Sequence, residues 1–479
     1  MGAGWSDGYH AELAYPAIFH RELTPAWLRA TATALGYRSP DPGEAYTWCE
    51  LGCGPGLGTL LTAAANPDGR FIAVDFDPAA IVRARALAEE AGIGNARFLH
   101  MSFAELAEAA DTALPPLDFI VLHGVLSWIS PANRQAVMRI VARWLKPGGI
   151  ACLSYMSQPG SAPMMAAQRV LQRSARISGA GAGLPGGLAL LRALRDGGAG
   201  QFVVVPELGD QIEQLTLQPS GYLAHEFLGE HWEPLHVADV LGAMAATGCT
   251  FLGSATPLEN IDAVSIPGGA QPVVAAIEDV ALRETAKDIA RNQTLRRDLY
   301  QRGARPLAPA EHRAALEAQR FIALPGAPGG GALRFSTRIG PVDGPAAMFS
   351  PLLEALAGGS PVSFGDLLRL PAYAGRGGLL NQACQMLLWA GYLHPWLPAQ
   401  GIDAALSLNR ALWRGAAAGE EYAWVVAPAI GSAIPADRPA MLAAHALDGG
   451  RPVDARALAA FERELLPVWK RLGVLGNFD

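Results

Sequence analysis

The chain has 479 residues, a hydrophobic content of 51%, a charged content of 17% and a formal net charge of −7. The length predicts several domains, and the composition excludes an intrinsically disordered chain and argues against a polyanionic partner such as nucleic acid. No apolar run reaches the roughly 18 residues of a membrane span, and the five cysteines lack paired metal-ligand spacing. We therefore expect a cytoplasmic protein without a metal centre, a membrane span or a nucleic-acid partner.

The first predicted elements are a strand, a glycine-rich turn, a helix and a second strand. Residues 46–51 form the first strand, and residues 71–74 form the second strand, which ends at Asp75. The turn between them contains three glycines, Gly52, Gly54 and Gly56. Glycines let the backbone approach a ligand where a Cβ atom would clash, and the carboxylate of Asp75 can accept hydrogen bonds from both ribose hydroxyls. The pattern predicts a nucleoside cofactor at the carboxyl edge of a parallel sheet.

Two residues beside the glycines argue against a dinucleotide. Pro55 has no N–H to donate to a pyrophosphate, and Glu50 would repel a diphosphate but suits an α-ammonium group. The segment resembles motif I of the class I S-adenosylmethionine-dependent methyltransferases, and Asp75 resembles their ribose acid. The alternative is an ordinary βαβ turn whose glycines serve only packing. Cys53 is interpreted as a tolerated small residue of the turn and not as a nucleophile.

The α/β alternation continues and predicts an α/β fold with a doubly wound, Rossmann-like sheet. The further elements are helices at residues 78–91 and 131–145 and strands at residues 96–101, 117–122 and 150–156. Ligands of such sheets bind outside the carboxyl ends of the strands. The predicted cofactor-binding residues there are Glu50, Gly52, Cys53, Gly54, Gly56, Asp75, Phe76, Met101, Ser102, Phe103 and His123. Because the acid that usually holds the adenine amine is missing after strand three, Ser102 or a backbone carbonyl is expected to accept that hydrogen bond.

The remaining residues predict mostly helices. Residues 163–178 are expected to be helical, whereas the Gly/Ala-rich residues 179–200 are interpreted as flexible or as a link between short helices. Residues 278–302 are interpreted as one long helix. Three short helices near residues 349–390 are followed by an extended segment and resemble a winged helix. The last of these helices has no Lys or Arg over residues 379–389, so we expect packing or protein recognition and not nucleic-acid binding.

Several segments are similar to a narrower group, the methyltransferases with an appended regulatory domain, which include the rickettsial-type protein lysine methyltransferases. The similar segments are residues 15–16, 22–25, 50–56, 123–128, 222–227, 232–234, 291–293 and 296–299. The resemblance implies S-adenosylmethionine as cofactor and an N-terminal cap that brings Tyr15 to it. The succession of predicted elements gives five regions: a core with its cap (1–158), a helical insertion (159–220), the end of the core with a regulatory segment (221–256), a long helix with a linker (257–330) and a helical domain (331–479).

The acceptor is expected to be a protein that is methylated at lysine, because the resemblance implies it and the added domains could build a broad groove. Aromatic walls favour a deprotonated lysine and attract cations. The candidates for the acceptor site are Trp128, Tyr155, Tyr222, His225, Glu226 and Trp232. For His225 and Glu226 the alternative is a structural pair. His123 is a candidate general base, with a loop-fixing role as the alternative, and Trp128 is a candidate catalytic residue.

Three functions stay open from the sequence alone. They are a bacterial-type protein methyltransferase, a small-molecule O- or N-methyltransferase, and a regulatory protein that binds the cofactor without turnover. A homodimer is also left open.

Overall fold

The computed structural model describes residue 8 and residues 17–41, 43–398, 401–451 and 453–476. Its centre is a seven-stranded sheet with the strand order β3-β2-β1-β4-β5-β7-β6. The strands are β1 (Tyr46–Leu51), β2 (Gly69–Asp75), β3 (Ala96–His100), β4 (Leu117–Leu122), β5 (Leu145–Met156), β6 (Cys249–Ser254) and β7 (Leu295–Arg302). Strands β1 to β5 pair in parallel, and β7 is antiparallel to both of its neighbours. The predicted fold class is confirmed.

Helices cover both faces of the sheet and bury its apolar strands. Those of the first 300 residues are α1 (Pro25–Ala34), α2 (Leu57–Ala65), α3 (Pro78–Glu90), α4 (Phe103–Glu108), α5 (Pro131–Trp144), α6 (Met164–Asp196), α7 (Gly200–Val204), α8 (Glu207–Leu215), α9 (Ser220–Phe227), α10 (Val237–Ala246), α11 (Asp262–Ser265), α12 (Gln271–Ala275) and α13 (Val280–Arg291). Side chains on opposite faces of the sheet belong to two separate core clusters, one around Trp48 and Phe71 and the other around Ile72 and Leu122. Strands buried on both faces explain the continuous apolar runs in the sequence.

The predicted helix over residues 278–302 is wrong beyond Arg291. Asn292, with φ of 48°, ends α13 in the left-handed conformation, and β7 then enters the sheet between β5 and β6. The sheet therefore continues past residue 256, where the sequence placed the end of the core. Charged residues made this strand resemble a solvated helix, but Arg296 is 3% exposed and binds three carboxylates. Those carboxylates belong to Glu284, Asp288 and Asp298.

Residues 179–200, predicted to be flexible or to link short helices, are largely helical, because α6 continues to Asp196. The helix is interrupted at Gly179, where φ is 75° and ψ is 159°, and its second half folds back on the first. A Cβ atom at Gly183 would collide with the backbone of Ala175, and one at Gly187 would lie 3.0 Å from a methyl carbon of Leu171. Small residues here permit close helix packing.

Within the described part of the chain, α6 is the one helix long and apolar enough to cross a membrane by length and composition. Its interruption at Gly179 leaves two halves, neither of which reaches the about 20 residues that a span requires.

The last third contains a winged-helix-like unit and a second helical layer. The helices are α14 (Pro309–Ala318), α15 (Ala346–Leu356), α16 (Phe364–Leu367), α17 (Gly377–Ala390), α18 (Ile402–Ala418), α19 (Arg438–Leu447), α20 (Ala455–Glu464) and α21 (Leu466–Leu472). The strands are β8 (Arg320–Ala323), β9 (Leu333–Thr337), β10 (Gly340–Gly344), β11 (Val362–Ser363), β12 (Leu393–Pro395), β13 (Trp424–Ala427) and β14 (Ser432–Pro435). Strands β11, β8 and β12 form one small sheet, and β9–β10 and β13–β14 are hairpins.

The expectation that residues 331–479 form a separate unit does not hold for α18 and the β13–β14 hairpin. Both elements pack on α2 of the sheet domain. Leu408 and Leu412 are fully buried in the same cluster as Leu60 and Leu61 of α2. The apolar face of α2 is thus covered by residues that follow it by about 350 positions in the chain.

Candidate functional site

The carboxyl ends of β1, β2, β3 and β4 surround one cavity. It gathers most of the residues predicted from the sequence: Glu50, Gly52, Cys53, Gly54, Asp75, Phe76, Met101, Ser102, Phe103, His123, Trp128 and His225. Parallel pairing explains the gathering, because the register aligns Glu50 with Ala73 and with Val121, and Asp75 with His100. Tyr15, predicted to cap the cofactor, lies outside the described residues.

The turn after β1 has the backbone shape that the glycine pattern indicated. Gly52 and Gly54 have φ of 81° and 52°, a region that L side chains rarely adopt. A Cβ atom at Gly52 would lie 2.6 Å from Cγ2 of Val125. The turn therefore keeps a bare backbone against the cavity.

Gly56 was predicted to bind the cofactor, but it does not line the cavity. With φ of 73° it is the N-cap of α2, and an added Cβ atom would lie 2.6 Å from the ring of Phe98 and 2.7 Å from Cβ of Ala84. This glycine lets α2 start close to β3 and α3, so its role is packing.

Two buried carboxylates face the cavity from neighbouring strands. Asp75 accepts hydrogen bonds from the N–H groups of Gly54 at 2.7 Å and Asp77 at 2.9 Å. Glu50 accepts from the hydroxyl of Thr59. Burial raises the pKa of Asp75 and raises the pKa of Glu50 to about 7. An ammonium group at Glu50 and hydroxyl donors at Asp75 would offset this desolvation, so the donor set fits an aminoacyl nucleoside.

The side chain of Ser102, expected to accept from the adenine amine, is engaged elsewhere. Its hydroxyl donates to Glu105 at 2.9 Å and accepts from the N–H of Glu105 at 3.2 Å, which forms a capping box for α4. Met101 and Phe103 flank it and give this part of the cavity apolar walls.

His123, at the end of β4, packs against His20, a residue that the sequence did not indicate. The rings of His20 and His123 stack with centroids 3.4 Å apart and planes inclined by 19°. Burial lowers the pKa of His20 to about 4 and the pKa of His123 well below its usual value, with Arg297 adding to both effects. Nδ1 of His123 is buried and has no hydrogen-bond partner among the described residues.

The low pKa of His123 argues against its predicted role as general base, because such an imidazole holds a proton poorly. The alternative role, fixing its loop through its own hydrogen bonds, is carried by other groups. Ser154 accepts from the N–H of Gly124 at 3.3 Å, and Ser127 accepts from the N–H of Met156 at 2.9 Å.

The predicted acceptor residues fall into three groups. Trp128 and His225 line the cavity, and the indole N–H of Trp128 donates to the carbonyl of Glu226 at 3.0 Å. Tyr222 and Glu226 are half-buried on the same helix, α9, outside the cavity lining, and burial raises the pKa of Glu226 to about 7.

Two of the predicted acceptor residues lie away from the cavity. Tyr155 is fully buried and donates its hydroxyl to Asp298 at 2.6 Å, because β7 pairs with β5 in the sheet and brings Asp298 beside it. Trp232 is buried against Phe227, with ring centroids 6.2 Å apart, in the core of the helical insertion. Both are therefore structural residues in this arrangement.

Six lining residues were missed from the sequence: Ile18, His20, Asp77, Ala80, Ile129 and Asn133. Gly124 and Val125 also line the cavity and belong to the segment 123–128, which the sequence indicated as a ligand-binding edge. Asp77 closely follows a predicted strand, so the strand-end rule could have found it. Ile18 and His20 come from a segment without regular secondary structure, and no sequence pattern places it over β4. Among the described residues, no group of three or more His, Cys, Asp or Glu side chains is arranged to hold a metal ion.

Comparison with known proteins agrees with this geometry. A family model described as a methyltransferase domain matches residues 49–149, and one described as a predicted methyltransferase regulatory domain matches residues 219–302. The protein sll1526 of Synechocystis is 33% identical over 441 residues, which cover 91% of this chain and 86% of that protein. The protein RP028 of Rickettsia prowazekii is 26% identical over 221 residues, 46% of this chain and 86% of that protein.

A solved structure with a similar fold is that of PKMT2 from Rickettsia typhi in complex with AdoHcy. The TM-score is 0.68 at 19% identity, and the match covers 91% of this chain and 89% of the other. A second structure of PKMT2 from the same organism matches with a TM-score of 0.69 over 96% of this chain. At this identity the likeness concerns the fold.

Proposed function

We propose that this chain, which belongs to the family of class I S-adenosylmethionine-dependent methyltransferases with an appended regulatory domain, methylates lysine side chains of a protein acceptor. The proposal rests on the composition of the cavity lining. One half presents the glycine turn and two carboxylates, and the other half presents an indole and uncharged imidazoles. The first half, with Gly52, Gly54, Glu50 and Asp75, is called the cofactor half and suits the methyl donor. The second half, with His20, His123, Trp128 and Ile129, is called the acceptor half and suits a deprotonated amine.

Each side chain of the cofactor half has a role in this proposal. S-adenosylmethionine, the cofactor of this family, carries its methyl group on a sulfonium sulfur and supplies an electrophilic carbon. Glu50 would hold the α-ammonium group and Asp75 the ribose hydroxyls, because each is a buried carboxylate with acceptor capacity left. Met101 and Phe103 would pack against the adenine.

The acceptor half favours an amine that arrives without its proton. Trp128 and Ile129 form an apolar wall there, and the imidazoles of His20 and His123 stay neutral at pH 7. Desolvation disfavours an ammonium group, so a lysine entering this half would lose its proton to solvent. Alignment of the neutral amine with the methyl carbon would then be the main catalytic contribution.

The regulatory domain contributes to the same half. His225 lines the cavity and Glu226 accepts from Trp128, and both residues lie within the segment that matches the regulatory domain. A domain that forms part of the acceptor wall can select the acceptor as well as control access to it. The resemblance to PKMT2 supports a protein acceptor, and the buried position of Trp128, 9% exposed, favours a thin, extended side chain such as lysine.

A small amine would also fit a buried indole wall, so the test must separate the two acceptor classes. The protein is incubated with a tritium-labelled methyl donor and a bacterial extract that has been divided by size into macromolecules and small molecules. The proposal predicts label in the protein fraction, recovered as methyl-lysine after acid hydrolysis. Label confined to the small-molecule fraction would replace the protein acceptor by a small amine, and no transfer to either fraction would favour a cofactor-binding regulatory protein.

A matched pair of variants links any transfer to this site. Trp128→Ala removes the indole from the cavity and should lower transfer about 10- to 100-fold through loss of alignment. Trp469→Ala removes an indole that is buried in the C-terminal helical layer, and it controls for a general loss of folding. Equal losses in both variants, each with a lowered melting temperature, would contradict a specific role for Trp128.

A further inference from the structure

The stacked rings of His20 and His123 join two distant parts of the chain at the acceptor half of the cavity. His20 lies just before a short 3-10 turn (Arg21–Leu23), and His123 directly follows β4. Their centroids are 3.4 Å apart, and both residues line the cavity. A stack this close fixes the plane of the His123 ring, whose buried Nδ1 has no hydrogen-bond partner among the described residues.

Burial is the main cause that keeps both rings uncharged, and Arg297 adds to it, whereas Glu22 raises the pKa of His20. Glu22 and Arg297 are the charged side chains that act on His20, and Arg297 also acts on His123. The carboxylate of Glu22 is itself near the guanidinium of Arg297, at 3.8 Å. Protonation of either imidazole would place a positive charge on a buried, stacked ring near Arg297, and Glu22 offsets this only in part, at His20.

We propose that His20 is a positioning residue, which holds the neutral His123 ring by stacking so that a ring nitrogen of His123 accepts a hydrogen bond from the acceptor amine. This inference rests on the proposed function and adds to it. A neutral imidazole has one acceptor nitrogen, and a primary amine has two N–H groups in addition to the lone pair that attacks the methyl carbon. One N–H bound to His123 would orient that lone pair.

His123 is not the base in this scheme. The amine gives its proton to solvent before it enters the cavity, and the second proton leaves only after the new C–N bond has formed. The methyl carbon breaks its bond to sulfur as it bonds to nitrogen, and the electron pair of the C–S bond stays on sulfur. The part that His20 and His123 contribute is orientation, so their loss should affect the rate of transfer more than cofactor binding.

Two variants of His20 separate stacking from hydrogen bonding. His20→Phe keeps a flat ring against His123 and removes both nitrogens, whereas His20→Ala removes the ring. We expect kcat of His20→Ala to fall about 10- to 100-fold, with Kd for S-adenosylmethionine changed less than about twofold, and kcat of His20→Phe to stay within about threefold of the wild type. His445→Ala, on α19 far from the cavity, is the control for a lost histidine.

A wild-type kcat in His20→Ala would overturn the proposal. Equal losses in His20→Ala and His20→Phe would also overturn it, because they would assign the effect to the nitrogens of His20. A parallel loss of cofactor affinity in His20→Ala would show a general change of the site and contradict a positioning role.

A second measurement is independent of any acceptor, so it separates failure of this inference from failure of the proposed function. Imidazole NMR signals are recorded on ¹³C,¹⁵N-histidine-labelled protein and assigned through His123→Gln and His20→Phe. The stack predicts ring-current shifts of the His123 signals in the wild type and in His20→Phe, and their loss in His20→Ala. Identical His123 signals in the wild type and His20→Ala would show that His20 does not position the ring.

Discussion

At the residue scale, the cofactor half of the cavity depends on carboxylates that are removed from water. Glu50 and Asp75 lie at the ends of neighbouring parallel strands and are both buried from solvent, which raises their pKa values. A charged or hydrogen-bonding ligand would stabilise their ionised forms. Ionisation of Glu50 is therefore expected to be coupled to binding of the ligand's ammonium group.

This coupling predicts how cofactor affinity depends on pH. The pKa of Glu50 is raised to about 7 in the free protein, and an ammonium ligand should lower it. Binding thus favours the ionised form, so affinity falls as the pH drops below 7, by up to about tenfold per pH unit. Calorimetry at several pH values measures this slope, the change in log Kd per pH unit. In Glu50→Gln the slope should disappear together with most of the affinity, and an unchanged slope in that variant would assign the proton to another group.

The glycine turn gives a second prediction at this scale. Gly52→Ala places a Cβ atom 2.6 Å from Cγ2 of Val125 and strains a left-handed backbone by about 1 to 2 kcal/mol. We expect weaker cofactor binding, because the turn must shift into the cavity. Gly92→Ala is the matched control: it has φ of 65° and open space around its Cβ position, away from the site. Equal stability losses with normal binding in both variants would contradict a role of Gly52 in the site.

At the scale of elements, the sequence predicted the parallel strands and the edge at which the ligand binds, because apolar strands and glycine turns are local signals. It failed at β7, where Arg296 and Asp298 suggested a solvated helix. These residues can be buried because α13 brings Glu284 and Asp288 to them. That pairing is a tertiary contact, which no local sequence pattern indicates. His20 was missed for the same reason, since its partner is about 100 residues away.

The buried ion network predicts a large stability loss. Arg296→Met should lower the free energy of unfolding by about 3 to 5 kcal/mol, because it leaves three buried carboxylates without their partner. Urea unfolding followed by tryptophan fluorescence measures the loss. The control, Arg463→Met, removes an ion pair to Glu464. The side chains of Arg463 and Glu464 are 70% and 63% exposed, so this change should have almost no effect on stability. Similar midpoints for both variants would contradict the importance of the network.

At the scale of the whole molecule, the sheet domain and the last third of the chain share a hydrophobic core. Leu408 and Leu412 on α18 complete the layer over α2, and α2 begins directly after the glycine turn. The C-terminal region therefore supports the cofactor site through α2. The sequence suggested a separate unit because nothing local marks which apolar face α18 covers.

This arrangement predicts that the interface of α18 with α2 controls stability. Leu412→Ala should destabilise the protein by about 2 to 5 kcal/mol, because it leaves a cavity in a fully buried layer. Ile402→Ala, at the start of the same helix with 43% exposure, is the control and should change little. Thermal unfolding with and without the cofactor measures both effects. A Leu412→Ala protein as stable as the control variant would contradict the shared core.

The most direct test of the account is calorimetric binding of S-adenosylmethionine to the wild type and to Asp75→Ala, because every functional step proposed for this cavity requires the methyl donor at that carboxylate. We expect saturable, one-site binding to the wild type. In Asp75→Ala we expect the binding free energy to weaken by about 1.5 to 3 kcal/mol, the contribution of hydrogen bonds to a charged group. Absence of wild-type binding, or equal affinity in the two proteins, would contradict the assignment of the site.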